Sequence, residues 1–385
     1  MAYDKVVDSA SLDSKLTQVA DAIRTKGNTG ADLQFPSGFI SAIQAIQTGT
    51  ELKIVVSVTS GATVTATKGS LSVSGTAVSG TCTLVVPEAG TWSVKATRNG
   101  QTSDTESITF TDSYDVTLAF VSPTLNDNDW AKIREVSDKG KGANYWSIGD
   151  RKAVTLNGTV GHLTLSNYTT YAFIIGFNHN SSLEGANRIH FQLAKTALSG
   201  GTDVCFCDNQ YGPDSGWSNP GAGYFVMNAS NTNSGGWKSS QMRTNICGTS
   251  LSSYSGTIIA VIPAALRAVL KSVTKYTDNT GGGSTAASAV TATTDYFFLL
   301  SEFEVFGSIS RANSNEASKQ AQYAYYSAGN SKIKYKHNGT STAALWWLRS
   351  QDAGNSGYFV LMGTDGTADS IFAYSSIGFA PGFCV

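Results

Sequence analysis

The feature that most limits how this chain can fold is a stretch of period two. Between Glu51 and Phe120, apolar residues recur at alternate positions: Ile54, Val56 and Val58, then Val64 and Ala66, Leu71 and Val73, Leu84 and Val86, Trp92, Val94 and Ala96, and Ile108 and Phe110. Alternation sends successive side chains to opposite faces of a strand and excludes a helix, whose faces repeat about every 3.6 residues. Turn residues punctuate the runs at Ser60-Gly61, Lys68-Gly69, Gly75, Glu88-Ala89-Gly90 and Asn99-Gly100, the last a strong two-residue hairpin signal. About seven short strands in this space predict a small immunoglobulin-like β-sandwich over residues 51–121. Nothing in it suggests catalysis, so it reads as a spacer.

Ahead of the sandwich the period is helical. Leu12, Leu16, Val19, Ala20 and Ile23 form one stripe, with Ser11 as a cap and Gly27 as a stop, and Phe39, Ile40, Ile43 and Ile46 form a second that ends at Gly49. Isolated helices below about 12–15 residues are marginal in water. Residues 1–50 therefore need a cover, which is either the neighbouring helix, a sister subunit or another protein.

Residues 122–385 have the texture of one large domain. A helix is predicted over 126–139, with Trp130 and Ile133 facing inward and Gly140 closing it. A second is predicted over 263–276, burying Leu266, Val269, Leu270 and Val273 and turning Arg267, Lys271 and Lys275 outward, and a third over 314–328. The apolar runs 172–177 and 296–300 suit central strands. Long polar loops at 208–223 and 228–240 are of the kind that carries function. The fold class is thus α+β and β-rich.

Composition narrows the function. Only 14% of residues are charged and the net charge is −1, against a usual charged fraction of about 25%. Ser and Thr supply close to a quarter of the chain and replace charge as the solvating groups. Binding nucleic acid or an anionic membrane through a basic patch needs clustered Lys and Arg that are missing here. No apolar run is long enough to span a bilayer and no export signal opens the chain, so synthesis and folding in a cytoplasm are expected. Five cysteines, an odd number, argue for reduced thiols over a disulfide framework.

The candidates for chemistry are sparse. His179 and His190 read as hydrogen-bonded structural histidines. Glu302 and Glu304 alternate along a strand-like 301–306 and would share a face, as an acid and base pair does, although such pairs also occur on any solvated strand. Cys205 and Cys207 lack the second ligand pair a zinc tetrahedron requires. Gly281-Gly282-Gly283-Ser284 lacks the Lys of a phosphate cradle and reads as a flexible loop. Asp203, Asp208 and Asp214 offer oxygens for calcium without its loop spacing. No cofactor is expected, calcium being the one ion with any support.

The last forty residues differ in kind. Residues 344–350 and 377–385 are bulky and framework-like, with Trp346, Trp347, Arg349 and Pro381 as frame. Between them, 351–376 mixes Asp, Asn, Ser, Gly, Thr and Tyr with isolated Phe359, Leu361, Met362, Ile371 and Phe372. A fixed frame that displays aromatic and small polar side chains is how a binding surface is built; one face of an ordinary strand is the plainer reading. The contact residues are expected to be Asp352, Asn355, Tyr358, Asp369, Phe372 and Tyr374, with Trp217 and Trp237 as further aromatic platforms.

These motifs resemble a known group. Residues 16–46 look like the N-terminal segment of tail proteins of Firmicutes phages and prophages. YWSIGDRKAVTLNG (145–158), TTYAFIIGFNHNS (169–181), NRIHFQLAK (187–195), NSGGWKSSQMR (233–243), LWWLRS (345–350) and GFAPGFCV (378–385) together resemble a domain of formally unknown function, of C-type-lectin-like fold, found in gut bacteria and their phages. The resemblance implies a phage tail-tip or tail-fibre receptor-binding protein. It would be a non-enzymatic adhesin, assembled in the host cytoplasm, carried in the virion and forming a homotrimer. Its partners would be tail or baseplate proteins and a bacterial host surface receptor, either glycan or protein. It also resembles variable proteins served by diversity-generating retroelements, which favour Asn, Asp, Ser, Gly and Tyr at varied sites. Gln351 stands where the pattern has Pro, and Ala380 where it has Arg. The alternatives are a tail-associated glycan hydrolase using Glu302 and Glu304, and a purely structural baseplate protein.

Overall fold

The computed structural model describes residues 9–27, 30, 32–45, 51–212 and 217–385. The chain divides into two compact units, Met1–Val121 and Ser122–Val385, and strands outweigh helices in it.

Two helices open the first unit, α1 (Ser9–Gly27) and α2 (Ser37–Ala45). Their stripes split. Ala20, Ile23 and Phe39 bury one another, with Leu16, Leu33 and Ala42 packed alongside, whereas Leu12, Val19, Ile40 and Ile43 stay exposed. The neighbouring helix therefore covers only the inner half of each stripe. Ile46 and Gly49 lie outside the described residues.

Eight strands follow: β1 (Lys53–Ser57), β2 (Thr63–Lys68), β3 (Leu71–Thr76), β4 (Thr81–Val85), β5 (Gly90–Arg98), β6 (Gln101–Thr102), β7 (Glu106–Phe110) and β8 (Tyr114–Thr117). One sheet runs β4-β1-β8, with β1 and β8 parallel; the other runs β3-β2-β5-β6, with β7 also on β5. The alternating residues of both sheets, including Ile54, Val56, Val64, Ala66, Leu84, Trp92, Val94 and Ile108, form one core. At the Asn99-Gly100 turn both residues have positive φ, at 51° and 77°, the backbone that this dipeptide favours.

In the second unit, α3 (Trp130–Asp138) begins where the Asp129 side chain accepts from the Lys132 amide at 2.6 Å and ends before Gly140 at φ 68°. It packs against a five-stranded sheet of β9 (Arg151–Val160), β10 (Leu163–Phe177), β11 (Ile189–Lys195), β15 (Phe297–Phe298) and β21 (Gly382–Cys384), in the order β15-β21-β11-β10-β9. The C-terminal strand is thus interior, and residues 375–385 are buried throughout. Smaller sheets join β12 (Val204–Cys205) to β16 (Lys334–Lys336) and β17 (Gly339–Ala344), β13 (Val273–Asp278) to β14 (Val290–Asp295), and β18 (Trp346–Gln351) to β19 (Tyr358–Met362) and β20 (Ala368–Phe372). All five cysteines are buried free thiols. Among the described residues, no helix is long and apolar enough to cross a membrane.

Three expected elements differ. The predicted 263–276 helix survives only as Ala264–Arg267, because from Val273 the chain is strand β13 with Val273, Lys275 and Thr277 inward. The predicted 314–328 helix is a 3-10 turn, Ser314–Ser318, and a separate turn, Ala324–Ser327. The strand predicted over 301–306 is a helix, Glu302–Phe306, opened by a capping box in which Ser301 and Glu304 exchange side-chain and backbone hydrogen bonds.

Candidate binding surface

The frame beneath the C-terminal hairpin is buried. Trp346 and Trp347 of β18 are fully buried, their indole nitrogens donating to the carbonyls of Lys332 at 3.1 Å and Phe225 at 2.9 Å. Tyr323, His190, Lys275, Glu184, Glu304 and Arg349 form a buried polar network beside them. Lys275 Nζ donates to Glu184 at 2.6 Å, Glu304 at 2.9 Å and Tyr323 at 2.8 Å. Arg349 grips both oxygens of Glu304 with its two terminal nitrogens. Burial alone would lift the Glu304 carboxyl, but Arg349 and Lys275 hold it well below the usual carboxylate range.

Lys275, expected on a solvated helix face, is therefore a core residue. The signal that could have placed Glu304 was the Ser301-x-x-Glu304 helix start. Glu302 is buried too, and accepts from the backbone amides of Ser310, Arg311 and Ala312. The two carboxylates do not share an open strand face, so acid and base chemistry has no site at this pair.

His179 and Glu184 approach Glu304 closely enough to suggest metal ligands, yet the cation those carboxylates already hold is the Lys275 ammonium. Burial, reinforced by Lys275, pushes His179 down to about 3. An imidazole that stays neutral when folded but protonates when unfolded stabilises the fold fully above its unfolded pKa. That contribution shrinks as pH falls from about 6.5 toward the folded value. Between neutral pH and 5.5, wild type should lose about 1 kcal/mol more stability than His179→Gln, read from paired denaturant melts; parallel pH profiles would refute the assignment.

Above the frame, Tyr358 and Phe372 face each other across β19 and β20 with rings edge to face at 4.9 Å, and Phe372 stacks on Tyr374 at 5.2 Å with planes 4° apart. All three residues are partly buried. Asn355 and Asp369 are exposed, Asp369 pairing with Arg311 at 3.0 Å. Trp217 is half-exposed at φ 61°; its amide donates to the Gly212 carbonyl at 2.9 Å and its ring lies against Gly212. Gly212 in turn donates to the carbonyl of Ser376, which ties the Trp217 turn to the segment that carries Tyr374.

Two expected contact residues are structural. Trp237 is fully buried, its indole N–H donating to Asp295 at 3.1 Å, because the 228–240 loop folds inward around it. Asp352 is 7% exposed; it accepts from the Gly354 amide at 2.6 Å and the Ser370 hydroxyl at 2.5 Å, and so holds its own turn. Asn233 was not singled out in the sequence, yet it fixes the 352–358 loop. Its buried amide donates to the carbonyls of Asp352, Asn355 and Tyr358. An Asn among Ser and Gly carries no sequence signal for that role.

The calcium oxygens are otherwise engaged. Asp203 pairs with Lys195, and Asp208 accepts from Phe225, Gln210 and Ser376; Asp214 lies outside the described residues.

Residues 224–385 match a family model described as a domain of unknown function, DUF6273. That stretch contains β13 to β21, the buried network's Lys275, Glu304 and Arg349, and the aromatic hairpin. A comparison with curated proteins finds no match.

Proposed function

We propose that this chain is a phage tail adhesin that binds a bacterial surface receptor through the β19–β20 hairpin and the Trp217 turn, without catalysis. In this reading residues 51–121 form an immunoglobulin-like spacer and 122–385 a C-type-lectin-like receptor-binding domain. Residues 1–50 join the tail and a homotrimer through the exposed Leu12, Val19, Ile40 and Ile43.

The observation that carries the reading is the aromatic series Tyr358, Phe372 and Tyr374, partly exposed above the buried β18 frame. Rigid aromatic side chains supply contact area at small entropic cost. Exposed Asn355 and Asp369 beside them supply directional polar contacts. Three copies on one fibre would raise weak single-site binding by roughly 10²–10⁴.

Tyr374→Ala is expected to weaken adsorption of the purified protein to host cells about tenfold or more, the loss typical of an anchor side chain at an interface. Asp369→Lys should weaken it as well. Unchanged adsorption by both variants, with unchanged melting temperature, would leave a purely structural tail protein as the better description.

A further inference from the structure

On the second unit, a cleft of about 410 Å³ opens between α3, the segment ahead of β11 and the segment ahead of β13. Its polar wall holds three cations, Arg134, Arg188 and Lys271, and one carboxylate, Asp138. Lys271 and Arg134 both pair with Asp138, at 2.6 Å and 2.9 Å. Their other acceptors are neutral: Arg134 caps the Val269 carbonyl at 2.9 Å, and Lys271 reaches the Asn187 carbonyl.

Arg188 has no carboxylate partner among the described residues. Its guanidinium donates only to backbone carbonyls, to Ser272 at 3.0 and 2.9 Å and to Ala186 at 2.7 Å. A guanidinium that caps a carbonyl keeps its full charge, so among the lining side chains three cations face one carboxylate. Burial lowers the Lys271 pKa, and Arg134 and Arg188 add to that against the pull of Asp138, so both guanidinium groups lie within electrostatic reach of Lys271. In a chain where only 14% of residues are charged, this concentration is not explained by solvation alone. The Arg134, Arg188 and Tyr296 side chains are half-exposed toward the opening.

We propose that this cleft binds an anionic sugar unit, one whose phosphate or carboxylate meets Arg134 and Arg188 while Tyr296 hydrogen-bonds a sugar hydroxyl. The volume suits one small ligand, since such pockets span about 300–1,000 Å³. The polar lining selects a hydrophilic one, and guanidinium groups favour planar or tetrahedral oxyanions through paired hydrogen bonds. The inference does not rest on the adhesin reading, because it uses a different surface and stands whether or not the hairpin binds a receptor.

Titration of the full chain with glycerol 3-phosphate, glucuronate and glucose, followed by calorimetry at low and at high salt, tests it. Saturable binding of at least one of the two anions, weakened by salt and absent for glucose, is expected, and which anion binds identifies the source of the charge. Arg188→Gln should weaken that binding about tenfold, the usual cost of a lost charge-assisted contact; Tyr296→Phe, which removes only a hydroxyl, should weaken it less and is the fallback if Arg188→Gln does not fold. Failure of both anions to bind wild type overturns the proposal, as does binding that is indifferent to salt or equal in every folded variant.

Discussion

Arg349→Ala is expected to cost about 3–5 kcal/mol of stability, the usual price of removing one partner from a buried ion pair. The side chain is fully buried, and its guanidinium donates to Thr277 Oγ1 at 2.8 Å, to the Leu299 carbonyl at 2.9 Å and to both oxygens of Glu304. Truncation leaves Glu304 with Lys275 as its sole cation, strands the Leu299 carbonyl and opens a cavity the length of the side chain. Arg349→Lys should recover part of the loss, because charge returns without the planar fork. Arg349→Met combined with Glu304→Leu should cost less than the two single changes together, since neither charge is then left alone. Urea melts followed by tryptophan fluorescence read the difference. A loss under about 1 kcal/mol in Arg349→Ala would mean that the network is hydrated and the interior wet.

That network also marks the limit of what the sequence discloses. Local patterns translate well: the alternation of Val64, Ala66, Trp92, Val94 and Ala96 becomes the inward face of one sheet, and Leu16, Ala20 and Ile23 meet Phe39. Asp129 caps the helix it precedes. Long-range polar pairing does not translate. Lys275 belongs to the inward phase of a strand, but a lysine in isolation reads as solvated, and its acceptors Glu184 and Glu304 lie 91 and 29 residues away.

Where two patterns competed, the longer one misled. Leu266, Val269, Leu270 and Val273 fit a helical stripe, yet a single turn ends at Arg267 and the strand takes over at Val273. Glu302 and Glu304 fit an alternating strand, yet the capping box at Ser301 decides for helix. In the 314–328 segment, Asn313 and Asn315 spend their side chains on backbone groups at Asn315 and Thr285, a competition that shortens helices. The mix of aromatic and small polar residues over 351–376 was legible as composition, and Tyr358, Phe372 and Tyr374 are partly exposed. Burial of Trp237 and Asp352 was not, because it depends on loops folding inward around partners remote in sequence.

Asn233→Asp is expected to lower stability by about 3 kcal/mol or more and to loosen the 352–358 loop in particular. The Asn233 side chain is fully buried. Its Nδ2 donates at 3.3 Å to the Asp352 carbonyl, at 2.8 Å to that of Asn355 and at 3.0 Å to that of Tyr358, while Oδ1 accepts from the Gly282 amide at 2.8 Å. The glycine run at 281–283, which reads as flexible in the sequence, is thereby pinned. Gly281 sits at φ 75° with the Asn233 carbonyl where a Cβ would stand. The substitution keeps size and shape but turns the donor into a negative oxygen aimed at three carbonyl oxygens, so the penalty comes from unmet and repelled partners and not from a cavity. Hydrogen exchange should show the Gly354, Gly357 and Tyr358 amides losing protection first, since these close the turns that Asn233 anchors. Tyr374→Ala should leave those amides protected. Equal protection of the three amides in Asn233→Asp and wild type would show that the loop is held by its own turns, and that the frame beneath the aromatic surface does not depend on this side chain.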